Sequence, residues 1–214
     1  MKPVKVVNRF LVIGFGSIGR RHIRNVRQLY PAAEIGILRH GNGCDDSALL
    51  LDSGADICYK TIEEALRLLP DLAIIANPAS YHLEYAQPLL SEGVPVFIEK
   101  PLSHSLRGVE LLIRTCLEKK VFINIGYNLR RTKALKTFKK CIDEHYVGRP
   151  LSIRSEVGQF LPDWRPEQDY RRSVSARKEL GGGVLLELSH DIDYLIWLFG
   201  RVHSVQGVLS KSNE

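Results

Sequence analysis

Two textures alternate along the first part of the chain. Short apolar runs occur at Phe10–Ile13 (FLVI), Glu34–Leu38 (EIGIL), Ile57–Tyr59, Asp71–Ala76 (DLAIIA), Val96–Ile98 and Val121–Ile125. They are bounded by turn residues and mostly lack the strict alternation of a half-exposed strand, so they read as strands buried on both faces. Between them lie stretches of helical period: Arg20–Leu29, Asp45–Ser53, Thr61–Leu69, Ser80–Glu92 and Leu106–Lys119. Thr61, with Glu64 three residues on, forms a capping box, and Ser80 and Ser103 are candidate N-caps. Strand and helix alternate without a break, which predicts a parallel, doubly wound α/β sheet.

The pattern changes at Tyr127. A basic amphipathic helix is predicted over Arg131–His145. Leu151–Val157 (LSIRSEV) alternates as a strand with one exposed face, and Val202–Leu209 reads as another strand. Between them run an irregular polar stretch, Phe160–Lys178, and an apolar helix from Gly181–Gly183 to Phe199. So long a loop inside a compact domain is often functional. The division expected is a first domain over 1–126 and a second, partial α/β domain over 127–214.

Composition adds limits. With 214 residues, 44% hydrophobic and 25% charged, the chain suits a globular protein with a real core. A net charge of +6 could serve nucleic acid or anionic small molecules. The densest basic cluster (Arg130, Arg131, Lys133, Lys136, Lys139, Lys140) recurs with Leu135, Phe138 and Ile142 at helical spacing, so it reads as a solvated helix face. No zinc-finger spacing or aromatic-interleaved basic motif accompanies it, and a nucleic-acid partner is not expected. The four cysteines, Cys44, Cys58, Cys116 and Cys141, form no C-x-x-C pair; reduced thiols and a cytoplasmic location are expected. The N-terminal MKPVKVVNRFLVIGFG is broken by glycines and lacks a signal-cleavage pattern, and no segment nears the roughly 18 apolar residues of a bilayer span, so no membrane partner is expected.

The most informative stretch is the turn after the first strand. Gly14, Gly16 and Gly19 form G-x-G-x-x-G between a buried strand and a helix start. The first glycine permits a tight turn, the second lets backbone approach a pyrophosphate, and the third lets helix pack on strand. N–H groups at the helix start, around Ser17 and Ile18, would face the phosphates. A dinucleotide is therefore the expected cofactor. The second strand ends at Arg39, where an NAD site usually carries Asp or Glu. A guanidinium there suits the 2′-phosphate of NADP, or is simply a surface arginine.

Glu99-Lys100-Pro101 follows a buried strand, where ligands of an open α/β sheet sit. Lys100 is either a group at the reacting centre or a surface lysine paired with Glu99. On the last helix Glu187, His190, Asp191 and Tyr194 share one face. That stripe either meets water or faces the cofactor cleft. In the second case His190 would move a hydroxyl proton and Glu187 would orient it. The three preceding glycines suggest close backbone approach to something bulky. Glu187-x-x-His190 lacks a sensible third ligand, so no metal is expected.

Taken in order, GFGSIGRRH, Glu99-Lys100-Pro101-Leu102, Gly126-Tyr127-Asn128-Leu129-Arg130, Asp163-Trp164-Arg165-Pro166 with Tyr170-Arg171, and GGGVLLELSHDIDYLIWLFG resemble the glucose–fructose oxidoreductase / inositol dehydrogenase (Gfo/Idh/MocA) family. The resemblance is greatest to the branch acting on nucleotide sugars and surface saccharides. It implies a Rossmann domain, a second domain with an open sheet, and NAD(P)-dependent redox chemistry on a sugar, nucleotide-sugar or cyclitol alcohol. By that resemblance Gly14, Gly16 and Gly19 hold pyrophosphate, Asn77 and Pro78 line the nicotinamide side next to Glu99, Lys100 bonds the reacting hydroxyl, and His190 is the acid/base. The family often has Asp-x-x-x-His on the last helix, whereas this chain has Glu187-x-x-His190, one residue closer. Family members also continue well past the last helix, so the chain reads as C-terminally short. Substrate identity, reaction direction, NAD against NADP and oligomeric state, a homo-oligomer included, stay open. The alternative is a dinucleotide-binding protein without catalysis.

Overall fold

The computed structural model describes residues 7–39, 53–164, 167 and 169–210. The chain divides into two compact units, Met1–Gly126 with Gln159–Glu187, and Tyr127–Gly158 with Leu188–Glu214.

The first unit is built on six strands: β1 (Arg9–Ile13), β2 (Glu34–Leu38), β3 (Ile57–Tyr59), β4 (Leu72–Ile75), β5 (Val96–Ile98) and β6 (Ile123–Ile125). Their order is β3-β2-β1-β4-β5-β6, and every neighbouring pair is parallel. This is the doubly wound order, with its switch point between β1 and β4. The apolar runs are strands because helices cover both faces. Leu11, Val12, Ile13, Ile35, Ile37, Ile75 and Ile98 are all 2% exposed or less. Successive side chains of β1 separate onto the two faces. Leu11 and Ile13 join Tyr85, Ala86, Leu89, Leu90 and Leu112, while Phe10 and Val12 join Ile23 and Val26.

Among the described residues four helices flank the sheet: α1 (Ser17–Leu29), α2 (Ile62–Arg67), α3 (His82–Ser91) and α4 (Val109–Lys119). Thr61 caps α2 as expected, its Oγ1 accepting from Glu64 N–H, but the Glu64 carboxylate reaches back to Lys60 N–H rather than to Thr61. The other two serine caps do not form. Ser80 lies in a 3₁₀ turn, Ala79–Tyr81, ahead of α3, and its hydroxyl caps nothing. Helix α4 starts after Gly108, whose φ of 85° reverses the chain, while Ser103 Oγ accepts only from Ser105 N–H. In both places a local turn consumes the residues that would open the helix. The helix predicted over Asp45–Ser53 lies, save its last residue, outside the described residues.

After α5 (Lys133–Asp143), capped by Thr132, the described chain carries no strand over 151–157 or 202–209. The two strands expected there are corrected. Alternation supplies a face, but a strand exists only when a second strand pairs with it, and no described segment does so. The single helix expected through 184–199 is also corrected. It is two: α6 (Val184–Glu187) and α7 (Ser189–Phe199), with Leu188 between them at φ −96° and ψ 20°. In the second unit Arg130 forks onto Asp193 of α7, with Nε–Oδ2 at 2.7 Å and Nη2–Oδ1 at 2.5 Å.

Cys116 and Cys141 are free thiols, but Cys58 is disulfide-bonded, which corrects the expectation of four reduced cysteines. Linear spacing does not report which sulfurs a fold brings within bonding distance. Among the described residues no helix is long and apolar enough to cross a membrane.

Candidate active site

The turn from β1 into α1 uses its three glycines differently. Gly14 has a φ of 95°, and an added Cβ would stand 2.6 Å from Asn77 N. Gly19 lies so close to the Gly14 carbonyl that no side chain fits between them. Gly16 is in ordinary extended backbone, and its absent Cβ would meet nothing within 4 Å. Helix α1 begins at Ser17, so the N–H groups of Ser17, Ile18 and Gly19 precede the first intrahelical bond, Arg20 N–H to Gly16 C=O at 3.0 Å.

This turn lines a cavity of about 450 Å³ within the first unit. The other walls are Asn77–Ala79 after β4, Glu99–Pro101 after β5, and Val174, Ser175, Gly181, Leu186 and Glu187 from the 159–187 segment. The volume is that of a typical small-molecule site. Three features fit a dinucleotide: the uncrowded backbone at Gly16, the N–H groups that open α1 ahead of its first intrahelical bond, and the buried Asn77 Oδ1, which has no partner among the described residues. Among the described residues no group of three or more His, Cys, Asp or Glu side chains could hold a metal ion.

Lys100 is four-fifths buried, and its Nζ donates to the Glu187 carbonyl at 3.0 Å and to Glu187 Oε2 at 3.4 Å. The alternative of a surface lysine paired with Glu99 is therefore corrected. Glu99 is taken elsewhere. Its Oε1 stands 2.7 Å from His22 Nε2 of α1, and its Oε2 accepts from Lys100 N–H at 3.3 Å. Burial raises the Glu99 pKa, but the hydrogen bond and charge of His22, with the Lys100 N–H and ammonium, outweigh it, and the net direction is down. Glu187 sits on its own short turn, α6, so the shared helical stripe of Glu187 with His190 is corrected as well.

His82 stands behind this wall, against Asn77 and Pro101. It is 1% exposed, with Nδ1 2.9 Å from the Pro101 carbonyl and Nε2 2.9 Å from the Asn77 carbonyl. Burial pushes its pKa down, bonds to the Asn77, Pro101 and Leu102 backbone and the Glu99 charge push it up, and burial prevails. Sequence reasoning gave no role to His22 or His82. A signal for His82 existed: with Tyr85, Ala86 and Leu89 it falls at i, i+3, i+4 and i+7, a polar ring on an apolar stripe.

Gly181 and Gly182 lie tightly against neighbouring protein atoms, whereas an added Cβ at Gly183 would meet nothing within 4 Å. Gly181 has a φ of 87°, and an added Cβ would stand 2.9 Å from Ala79 Cβ and 3.2 Å from His104 Cβ. Gly182 N–H and Gly183 N–H bond the carbonyls of Arg177 and Ser175. At the end of β2, the Arg39 guanidinium lies 5.8 Å from the Phe15 ring centroid, and that of Arg20 lies 4.5 Å from it. In the second unit His190 meets the Tyr127 ring edge-on, with centroids 5.6 Å apart, and Tyr194 Oη donates to Asp191 Oδ1 at 2.6 Å.

Comparison with known proteins bears on this cleft. A family model described as "Oxidoreductase family, NAD-binding Rossmann fold" matches residues 8–127, and the GFO/IDH/MocA C-terminal domain model matches residues 135–214. Levoglucosan dehydrogenase of Pseudarthrobacter phenanthrenivorans is 32% identical over 145 residues, covering 66% of this chain and 36% of the relative. Inositol 2-dehydrogenase/D-chiro-inositol 3-dehydrogenase of Halalkalibacterium halodurans is 25% identical over 198 residues, covering 89% of this chain and 52% of the relative. The chain thus spans between about a third and about half the length of these curated relatives. The crystal structure of the WlbA dehydrogenase from Bordetella pertussis, in complex with NADH and UDP-GlcNAcA, shares the fold. Its TM-score is 0.72 at 23% identity, covering 91% of this chain and 60% of that one.

Proposed function

The chain belongs to the GFO/IDH/MocA oxidoreductase family, and on that premise we propose that it catalyses NAD(P)-dependent hydride transfer at a hydroxyl-bearing carbon of a sugar, nucleotide sugar or cyclitol. The observation that carries the proposal is a buried ammonium, Lys100, in the wall of a cavity that also carries the glycine turn. The Gly14–Gly19 turn and the α1 N–H groups would hold the pyrophosphate, and Asn77 would bond the nicotinamide side. A bound nicotinamide supplies the hydride acceptor or donor. The Lys100 Nζ, held by Glu187, would donate to the substrate oxygen as negative charge develops on it. A ring nitrogen of His190 would take up the hydroxyl proton during oxidation and return it during reduction. The relatives named above are a levoglucosan dehydrogenase and an inositol dehydrogenase, which supports that substrate class. NADP is the cofactor we favour, because Arg39, just past β2, and Arg20 of α1 bring two cations to the Phe15 ring in the turn after β1, where a 2′-phosphate would be neutralised.

The test is a steady-state assay of the full chain with NAD and NADP across a panel of aldoses, cyclitols and nucleotide sugars, with dinucleotide affinity measured in parallel. Lys100→Ala and His190→Ala should each lower turnover by about 10²–10⁴-fold, the usual share of general acid–base groups. Dinucleotide affinity should stay near that of the native chain. Unchanged turnover in both variants overturns the assignment, and dinucleotide binding without redox change across the panel would make this a binding protein.

A further inference from the structure

His82 occupies a buried position on α3, 1% exposed, yet it presents two polar nitrogens. Burying such a ring is costly unless it is hydrogen-bonded, and the same holds for a buried main-chain carbonyl. One arrangement meets these costs in part, because the ring faces two carbonyls and its neutral form carries one N–H. The imidazole stands between the Asn77 carbonyl and the Pro101 carbonyl, 2.9 Å from each. These carbonyls belong to the loops that leave β4 and β5 and line the cavity.

The parallel ladder between those strands ends with Glu99 N–H to Ile75 C=O at 2.9 Å. Beyond it, among the described residues, no main-chain bond joins 76–78 to 100–102. The imidazole is what spans the gap. A neutral ring donates its one N–H to one of the two carbonyls; its other nitrogen is an acceptor and packs beside the second carbonyl without a hydrogen bond to it.

We propose that His82 is a positioning residue that sets the spacing between the Asn77–Pro78 and Lys100–Pro101 loops, and with it the separation of the Asn77 amide from the Lys100 ammonium. His82 acts through the loops and touches neither cofactor nor substrate. The inference rests on reading the cleft as a dinucleotide site.

The experiment compares the native full chain with His82→Leu and His82→Gln. Amide hydrogen exchange is followed across residues 76–82 and 99–103, and affinity for NADH and NADPH is read from nicotinamide fluorescence. His82→Leu should speed exchange in both loops while β1 and β4 stay protected, and should weaken dinucleotide binding about tenfold, the size of one lost hydrogen bond. His82→Gln, which restores one donor, should recover most of both effects. A folded His82→Leu chain with native loop exchange and native affinity overturns the proposal. So does equal loss in both variants, since ring shape alone would then matter. Should His82→Leu fail to fold, the imidazole ¹⁵N signals of the native chain decide. One ring N–H in slow exchange with water is expected, and fast exchange at both nitrogens overturns the tie. Exchange and ¹⁵N readouts need no cofactor, so a native chain that binds no dinucleotide would strike the cleft reading and leave the His82 result standing.

Discussion

Residues of the same type do opposite work in this cleft. Gly19 is required by packing, because any side chain would enter the Gly14 carbonyl, whereas a Cβ at Gly16 would meet nothing within 4 Å. Gly19→Ala should therefore lower the melting temperature by several degrees, as expected for about 1–3 kcal/mol of overpacking. Gly16→Ala should melt like the native chain and bind dinucleotide more weakly. Calorimetry and a fluorescence titration separate the two outcomes, and equal melting losses would refute the distinction. Ionisation follows the same logic. His82 in the folded chain titrates below its ordinary 6.5, and Glu99 below its ordinary 4.5. In each case the unfolded chain binds more protons within the window between the folded and ordinary values, so stability rises with pH there. The urea midpoint should fall as pH drops below about 6.5 and again below about 4.5. His82→Gln should abolish the first fall; a flat profile in the native chain would contradict both shifts.

At the scale of elements, the strands of the first unit were legible because burial on both faces leaves an unbroken apolar run, and little else in a soluble chain looks like it. Helix starts were less so. Ser80 and Ser103 have the right chemistry for caps, but a 3₁₀ turn and Gly108 at positive φ redirect the chain first. The interruption at Leu188 matters more. It turns one expected helix into α6 and α7, and so gives Glu187 to Lys100 instead of to a common stripe with His190. Residues 151–157 show the reverse limit, since alternation without a paired neighbour makes no sheet.

Across the whole molecule, the first unit is discontinuous: residues from 159–187 return to wall a cavity opened by residues 14–18. Gly181 is the tight point of that return, and Gly181→Val would drive a Cβ to 2.9 Å from Ala79 Cβ at a positive φ. The variant should lose Lys100–Glu187 pairing and dinucleotide affinity while the sheet melts near its native temperature. Native affinity in a folded Gly181→Val chain would show the return segment to be dispensable. By itself the amino-acid order determined the parallel sheet and the glycine turn between β1 and α1, because periodicity and glycine spacing are local physics. Only tertiary structure decided that Glu187 faces Lys100, that His22 holds Glu99, and that His82 joins two loops. Those pairings span 87, 77 and up to 19 positions along the chain, and no local pattern reports which distant groups a fold brings within hydrogen-bonding reach.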